Sequence, residues 1–348
     1  MAPQTMKQWN VVEKGDFEKG LKFSDNAPVP SKLKDNQVLV HFHAASLNFR
    51  DLTIVLGTYL FPVKDNVVPS SDGAGTVEAV GSAVKRFKPG DKVVTLFNQG
   101  HLAGAGTPEA VLTGLGGMLD GSLRQYGAFD EHGLVHMPNN LNFLEASTLT
   151  CAGLTAWNAL YGLQPLKPGE WVLTQGTGGV SIFALQFAKA AGAKVIATTS
   201  SAEKAEILKK LGADHVINYK QDLNWGESAK KLTPAGEGVD HVVEIGGPVT
   251  VKQSLAAIKI GGVINIIGFV GGEAQKQPTF LDCLKNLCTV RGLLVGSRQQ
   301  FEDMIKAVDA NNIHPVIDQK VFKLHEAKEA FHYQFGGNQI GKVCIEIE

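Results

Sequence analysis

This chain of 348 residues lacks most of the features that would assign it to a class at once. Its four cysteines stand at 151, 283, 288 and 344, with no CxxC pair and no histidine spacing to match. Thiols scattered in this way exclude a disulfide framework and a structural zinc knuckle. No apolar run approaches the ~20 residues of a membrane span, and the opening stretch MAPQTMKQWNVVEKGDFEK has no apolar signal region. Excess charge is missing too. The formal net charge is -1, and basic residues are interspersed with acidic ones, so nothing points to nucleic acid or an anionic membrane surface. Internal repeats and low-complexity tracts are also absent. What is present is 44% hydrophobic residues, enough for a sizeable core, in a length that sets a prior of about two domains. The expectation is a soluble, cytoplasmic protein.

The chain is organised around Trp171 to Ser201, WVLTQGTGGVSIFALQFAKAAGAKVIATTSS. Trp171 to Thr174 is β-prone, Gly176, Gly178 and Gly179 interrupt it, and Val180, Ala184, Phe187 and Ala191 recur at helical spacing. Lys194 to Thr199 then reads as the next parallel strand, which closes one strand–turn–helix–strand unit. Glycines let the backbone approach a pyrophosphate, and the helix N-terminus offers it free N–H groups. The third fingerprint position is Ser181, small but not glycine. After the second strand an NAD site places a carboxylate for the ribose 2′-hydroxyl, which a 2′-phosphate cannot tolerate. Here Thr198, Thr199, Ser200 and Ser201 stand there, with Lys204 one turn on, and this favours NADPH. Ser200 or Ser201 can also cap the following helix, Glu203 to Leu211.

From Gln8 to about Asp130 the pattern is short β runs, such as Val38 to His43 and Gly75 to Val80, with no helix-length periodic stretch. Lys88-Pro-Gly-Asp-Lys-Val-Val sets Pro89 and Gly90 at the centre of a tight turn. Residues 98 to 122 are glycine-rich and read as a long surface loop or lobe, helical only at Thr107 to Thr113. Beyond the fingerprint, strands are expected at His215 to Tyr219, Val239 to Glu244, Gly262 to Gly268 and Val290 to Val295. Helices are expected at Ala202 to Leu211, Val249 to Ala257 and Gln300 to Asn311. This is enough for a doubly wound, six-stranded parallel sheet. The tail from His314, with a helix at Glu326 to Phe335 and a strand at Lys342 to Ile347, breaks the repeat and is expected to return to the first domain.

Ser46-Leu-Asn-Phe-Arg-Asp51 with Gly57-Thr-Tyr59, Pro69-Ser-Ser-Asp-Gly-Ala-Gly-Thr-Val77, the PGDKV turn, Ala146 to Tyr161 and Gly341-Lys-Val343 together resemble the medium-chain dehydrogenase/reductase superfamily over essentially the whole chain. The nearest likeness is to its zinc-independent branch of quinone oxidoreductase-like and NADP-dependent alcohol dehydrogenase-like members. The resemblance implies an α/β protein with a GroES-like β-rich catalytic domain at 1–150. A Rossmann dinucleotide-binding domain follows at 151–296, and residues 297–348 return to the catalytic domain. The departures from zinc alcohol dehydrogenases are specific. Asn48 stands for one cysteine ligand, Ser70-Ser71-Asp72 for the GHE segment, and only Cys151 survives. One thiol cannot hold a catalytic zinc that needs three protein ligands, so no metal is expected.

The same resemblance implies the site residues. Tyr59 falls where enoyl-thioester reductases carry a catalytic tyrosine, so it is either a hydrogen-bond donor to the enolate or an apolar cleft wall that positions substrate. Asn48 is a candidate for a hydrogen bond with substrate or with the nicotinamide ribose. Asp51 is either catalytic or a structural partner of Arg50 or a backbone amide, and Cys151 is either near the nicotinamide or a packed remnant. For the cofactor, Gly176, Thr177, Gly178, Gly179 and Val180 are implied at the pyrophosphate, and Thr199, Ser200, Lys204 and Tyr219 at the 2′-phosphate and adenosine. Gly268 and Phe269 are implied beside the nicotinamide, and Ser297, Arg298 and Lys342 toward phosphates or ribose. The expectation is an NADPH-dependent, zinc-independent oxidoreductase passing hydride to a small carbonyl-type acceptor: a quinone, an α,β-unsaturated carbonyl or enoyl group, or an aldehyde. The alternative is a catalytically silent NADPH-binding sensor or scaffold. A homodimer paired through the last strand of the nucleotide sheet is implied by the resemblance alone.

Overall fold

The computed structural model describes residues 3–348. One unit takes in residues up to Leu154 together with Gly296–Glu348, and the other is Thr155–Val295. In the first, β1 (Thr5–Val11) and β2 (Leu21–Pro28) form an antiparallel pair around the one-turn helix α1 (Phe17–Gly20). Then come β3 (Gln37–Ser46), α2 (Phe49–Leu56), β4 (Asp72–Val80) and β5 (Lys92–Thr95). The short α3 (Pro108–Val111), β6 (Tyr126–Asp130), β7 (Leu134–His136) and α4 (Phe143–Ser147) complete this part. β3 is its trunk. It pairs with β4 from Val38↔Val80 to Ser46↔Asp72, and with β6 from Gln37↔Asp130 to His41↔Tyr126. Gly90 adopts φ +92, the conformation that lets the PGDKV segment turn tightly into β5. Phe42, Leu52, Val55, Phe129, Phe331 and Ile345 meet in the core of this unit.

Two expectations for this unit need correction. Eight residues form helix α2 where no helical stretch was expected, and five consecutive residues from Asp51 to Val55 are buried. Their local composition, LTIV, has the β-branched bias of a strand. The helix forms because both ends are fixed. Asp51 accepts from the Asn48 N–H at 2.8 Å, and Gly57 at φ 76 closes the C-terminus. The loop of residues 98–122 is only half a surface feature. Gly114 to Gly117 are buried, and a Cβ at Gly121 would stand 1.8 Å from the Ser70 carbonyl oxygen.

In the second unit, α5 (Leu154–Tyr161) leads into β8 (Trp171–Gln175), α6 (Gly179–Ala190), β9 (Lys194–Thr199) and α7 (Ala202–Lys210). β10 (His215–Asn218), α8 (Trp225–Lys231), β11 (Val239–Glu244) and α9 (Val251–Ala257) follow. β12 (Ile258–Ile266), α10 (Phe280–Asn286) and β13 (Thr289–Gly292) end it. The six strands are parallel in the order β10-β9-β8-β11-β12-β13, so the winding reverses between β8 and β11. Leu173, Ile196, Val242 and Ile264 are fully buried, as the near-continuous apolar runs demand of strands covered on both faces. β13 stops earlier than expected, before Val295 turns to φ 49. The short helices α8 and α10 were not anticipated.

The chain then returns. α11 (Arg298–Ala310), β14 (Phe322–Lys323), α12 (Ala327–Phe335) and β15 (Cys344–Glu346) belong to the first unit. β15 is laid between β14 and β3, antiparallel to β3 through Cys344↔Ser46 and Ile345↔Ala45. No helix among the described residues is long and apolar enough to cross a membrane.

Candidate active site and nucleotide turn

In the second unit the turn after β8 has an unusual pair of glycines. Gly176 has φ +78, which glycine alone holds without strain. Gly178 has an ordinary φ of -76, and a Cβ built on it meets nothing within 4 Å. Neither conformation nor packing calls for glycine at 178. A pyrophosphate lying against the backbone at such a turn would account for it. Gly179 opens the twelve-residue α6, whose first turn has no acidic residue and no side-chain cap, so its N–H groups stay open to an anion. Ser181 is buried and donates to the Gln175 carbonyl at 2.5 Å, pinning α6 to the end of β8.

The residues expected around the adenosine share one corner of this unit. Asn218 pairs with Thr199, and the Tyr219 N–H donates to the Thr199 carbonyl at 3.0 Å. Thr199 Oγ1 is buried without a partner among the described residues. Ser201, not Ser200, caps α7 by accepting from the Lys204 N–H at 3.3 Å, which puts Lys204 in the first turn of that helix. No carboxylate closes β9. Gly268 sits where a Cβ would come 2.4 Å from the Ile245 carbonyl, and Gly247 packs equally closely on Gly268 and Phe269.

Behind this turn lies a network the sequence did not reveal. Glu244 is fully buried at the end of β11 and accepts from Gln175 Nε2 and Gly247 N at 2.8 and 2.9 Å, and from the hydroxyls of Thr250 and Ser254. Gln175 Oε1 in turn accepts from Ile245 N and Gly246 N at 2.9 and 3.1 Å. The ends of β8 and β11 are therefore tied together where the strand order reverses. A lone Gln and a lone Glu some 70 residues apart give no signal of this in sequence.

In the first unit a polar cluster forms around Lys342. Its ammonium is 4% exposed and donates to the Leu47 carbonyl at 2.6 Å, to Asn48 Oδ1 at 2.5 Å and to Asp72 Oδ2 at 3.2 Å. These bonds use all three N–H groups of a lysine. Asp72 is fully buried and also accepts from Ser46 Oγ at 2.9 Å and Ser71 Oγ at 2.7 Å. Asn48 Nδ2 is buried with no partner among the described residues.

A second group adjoins it. The Asp51 carboxylate accepts from Asn48 N at 2.8 Å and from Arg50 at 3.4 Å, so both structural roles expected of Asp51 are present. Burial pushes its carboxyl up to about 6, with Arg50 opposing. Arg50 was passed over as a site residue, yet it organises this side of the cluster. Its Nε donates to the Tyr59 hydroxyl oxygen at 3.2 Å, and its Nη1 donates to the Leu115 carbonyl at 2.8 Å. The guanidinium carbon stands 4.9 Å from the Tyr59 ring centroid and 4.7 Å from that of Phe97. Arg50 thus joins Tyr59 to the buried half of the glycine-rich loop, while the Tyr59 O–H keeps its proton to donate. An arginine beside aromatics is a weak signal in sequence because the partners come from three segments.

Cys151 lies on a π-helical stretch, Leu149–Gly153, that runs into α5. Burial, then the neighbouring Asp72 carboxylate, pushes its thiol up to about 12, which keeps it protonated and unsuited to nucleophilic attack at neutral pH. Ser297 caps α11 by accepting from Gln300 N at 3.3 Å, and Arg298 is engaged by His132 at 2.8 Å and Glu302 at 3.5 Å. Of the three residues expected at phosphates or ribose, these two and Lys342 are thus all committed within the first unit.

The positions that zinc enzymes of this resemblance use as ligands do not fit a zinc here. Asn48 Oδ1 is taken by an ammonium, Ser71 Oγ is donating to Asp72, and the remaining group is the protonated Cys151 thiol. Among the described residues, no cluster of three or more His, Cys, Asp or Glu side chains could hold a metal ion.

Comparison with known proteins places this geometry. A family model described as an alcohol dehydrogenase GroES-like domain matches residues 34–139, and one described as a zinc-binding dehydrogenase matches residues 179–310. A Schizosaccharomyces pombe protein named as zinc-type alcohol dehydrogenase-like is 47% identical over 92% of this chain and 93% of its own. A chloroplastic quinone-oxidoreductase from Triphysaria versicolor is 33% identical over 99% of this chain and 100% of its own. The crystal structure of an NAD-dependent alcohol dehydrogenase superposes with a TM-score of 0.88 at 31% identity, covering 99% of this chain and 100% of that one.

Proposed function

The chain belongs to the medium-chain dehydrogenase/reductase family, with a GroES-like unit and a Rossmann unit, and on that premise we propose that it is an NADPH-dependent, zinc-independent reductase of carbonyl-type acceptors. An oxidoreductase of the alcohol dehydrogenase and quinone oxidoreductase type follows from the family. The observation that carries the rest is the turn at the N-terminus of α6, where Gly178 leaves its backbone open and no side chain caps the first N–H groups.

A bound nicotinamide supplies a hydride, two electrons with one proton, to the acceptor. The chain's residues do the remainder. Gly176 to Val180 receive the pyrophosphate on backbone N–H groups. Lys204, Ser200 and Thr199 offer an ammonium and two hydroxyls to a 2′-phosphate, and β9 ends on Thr198 and Thr199 with no carboxylate there to repel it. The solved relative described above is named NAD-dependent, so the choice of NADPH rests on these side chains alone. Asn48 Nδ2 is a buried donor for the charge that develops on the acceptor oxygen. Tyr59 supplies the proton that balances the hydride, held in place by Arg50 and refilled from solvent. Four unpaired cysteines accord with a reducing, cytoplasmic setting.

We also propose a homodimer through the β13 edge. β13 ends the six-stranded sheet, and Val290 together with Phe280, Leu281 and Leu284 of α10 is exposed there, Phe280 to 96%. A monomeric mass by light scattering at micromolar concentration contradicts this.

The deciding experiment follows NADPH and NADH oxidation by metal-analysed protein against a quinone, an enone, an enoyl thioester and an aldehyde. NADPH-selective turnover without stoichiometric zinc is expected, and the responding acceptor names the reaction. NADPH binding with no turnover favours the silent sensor reading. In the same assay Tyr59→Phe is expected to lower kcat about 100-fold. An unchanged rate removes the tyrosine from the chemistry.

A further inference from the structure

Lys342 and Asn48 form a device that neither the family descriptions nor the reading above assigns. An ammonium has only donors, so the atom of the Asn48 amide that faces Lys342 Nζ has to be the oxygen. The amide can then lie only one way round, with Nδ2 directed away from the lysine. Nδ2 is buried and without a partner among the described residues. An orphan donor of this kind is destabilising, and a ligand oxygen is a partner that would complete it. The lysine is fixed in turn. Its other N–H groups are held by the Leu47 carbonyl and by Asp72, whose carboxylate is itself held by Ser46 and Ser71.

We infer that Lys342 is a positioning residue that takes over, as a fixed internal cation, the electrostatic task of the metal that this locus does not fit: it locks the Asn48 amide so that Nδ2 donates to the acceptor oxygen. The positive charge beside Oδ1 polarises the amide and makes its N–H a better donor, since hydrogen bonds in a chain strengthen one another. The assignment also separates Lys342 from the phosphate contacts, because no N–H of its ammonium is left over. It rests on the reductase reading, since it needs an acceptor oxygen to receive the bond.

The test keeps the buried charges balanced. Removing Lys342 alone strands the Asp72 carboxylate and endangers folding, so the variant compared is Lys342→Met with Asp72→Asn, alongside Asn48→Ala and the triple variant. Zinc content, melting temperature, the NADPH dissociation constant and kcat with the responding acceptor are measured for each. The double variant is expected to fold, to bind NADPH within about twofold of the parent and to lose kcat about 100-fold. Adding Asn48→Ala to it should cost less than about twofold more, because residues in one chain of contacts do not act additively. An unchanged kcat overturns the inference. So does a tenfold weaker NADPH affinity with kcat retained, which returns Lys342 to the phosphates, and so do fully additive losses. Parent protein that turns over none of the acceptors overturns the reductase reading and this inference with it, whereas with an active parent the variants alone decide. Stoichiometric zinc in the active parent overturns the inference and spares the reductase activity.

Discussion

Glycine crowds two stretches of this chain, residues 98–122 and 175–180, and the structure uses it for opposite purposes. At Gly178 a Cβ would meet open space, whereas at Gly121 it would stand 1.8 Å from the Ser70 carbonyl oxygen and 2.5 Å from that of Pro69. Gly116 is similar to Gly121, with Ser70 backbone atoms at 2.8–2.9 Å. In the first stretch Gly116 and Gly121 are held to glycine because protein backbone comes close to them. In the second, Gly176 is held by its φ of 78, and Gly178 leaves room against the backbone for the proposed dinucleotide. A glycine therefore records a close approach without saying by what, and only the neighbours in space tell a structural glycine from a ligand-binding one.

Substitutions at the two stretches sharpen this contrast. Gly121→Ala should have the largest effect, a destabilisation of about 3 kcal/mol or more that appears as lost soluble yield or a large fall in melting temperature. Wild-type-like melting of that variant would mean the loop shifts aside without cost. Gly178→Asp should leave the melting temperature within a few degrees, yet weaken NADPH binding about 100-fold by placing a side chain and a negative charge where phosphate belongs. Fluorescence titration measures it, and a stable variant with unaltered affinity removes the ligand from the argument. In the first turn of α7, Lys204→Ala should weaken NADPH about tenfold and leave NADH unaffected, as expected for a charge-assisted bond to the 2′-phosphate. Equal losses for both cofactors would reduce Lys204 to a general attraction.

The smallest effect belongs to the scaffold beneath that turn. Burial alone would raise the Asp214 carboxyl, but bonds from Lys189, Lys194 and the Val195 N–H bring it down to about 2 from 3.8. A depressed carboxyl stabilises the fold above its unfolded value, and that contribution is lost as pH falls from about 4 toward 2. Asp214→Asn should cost about 1 kcal/mol at neutral pH once solvent screening is allowed for, and should flatten the acid side of a melting-temperature profile. Parallel profiles for the two proteins would show that the pair of lysines contributes nothing.

The same contrast explains what was legible in the sequence. The nucleotide unit announces itself locally, because strand, glycine turn and helix all fall within some 30 residues and follow a fixed period. Its parallel sheet, with Thr199 closing β9, could be read for that reason, whereas Tyr219 was named only by resemblance. The cluster in the first unit could be named only by resemblance. Asn48, Asp72, Cys151 and Lys342 come from four separate segments, and nothing in their spacing says that an ammonium will face an amide. Arg50 was missed for the same reason, its partners being Tyr59, Phe97 and Leu115. Helix α2 was missed for another. The run from Leu52 to Val55 is buried on every side and β-branched at three of four positions, so periodicity and propensity both mislead, and its caps decide. The helix α10 shows no buried face at all and so carries no amphipathic signal.

The place of β15 has a consequence for how the protein is made. Chains emerge from the ribosome N-terminus first, and domains fold as they become complete. The unit Thr155–Val295 is contiguous and can close while synthesis continues. The first unit cannot, because the strand between β14 and β3 is Cys344–Glu346, translated only after the whole of Thr155–Val295. Lys342 arrives in the same stretch. A nascent chain halted just short of it holds a finished nucleotide unit beside a sheet still open along β3. On the reading proposed above, such a chain binds a dinucleotide before it has the charge that orients Asn48, so its grip on the nucleotide precedes its capacity to react.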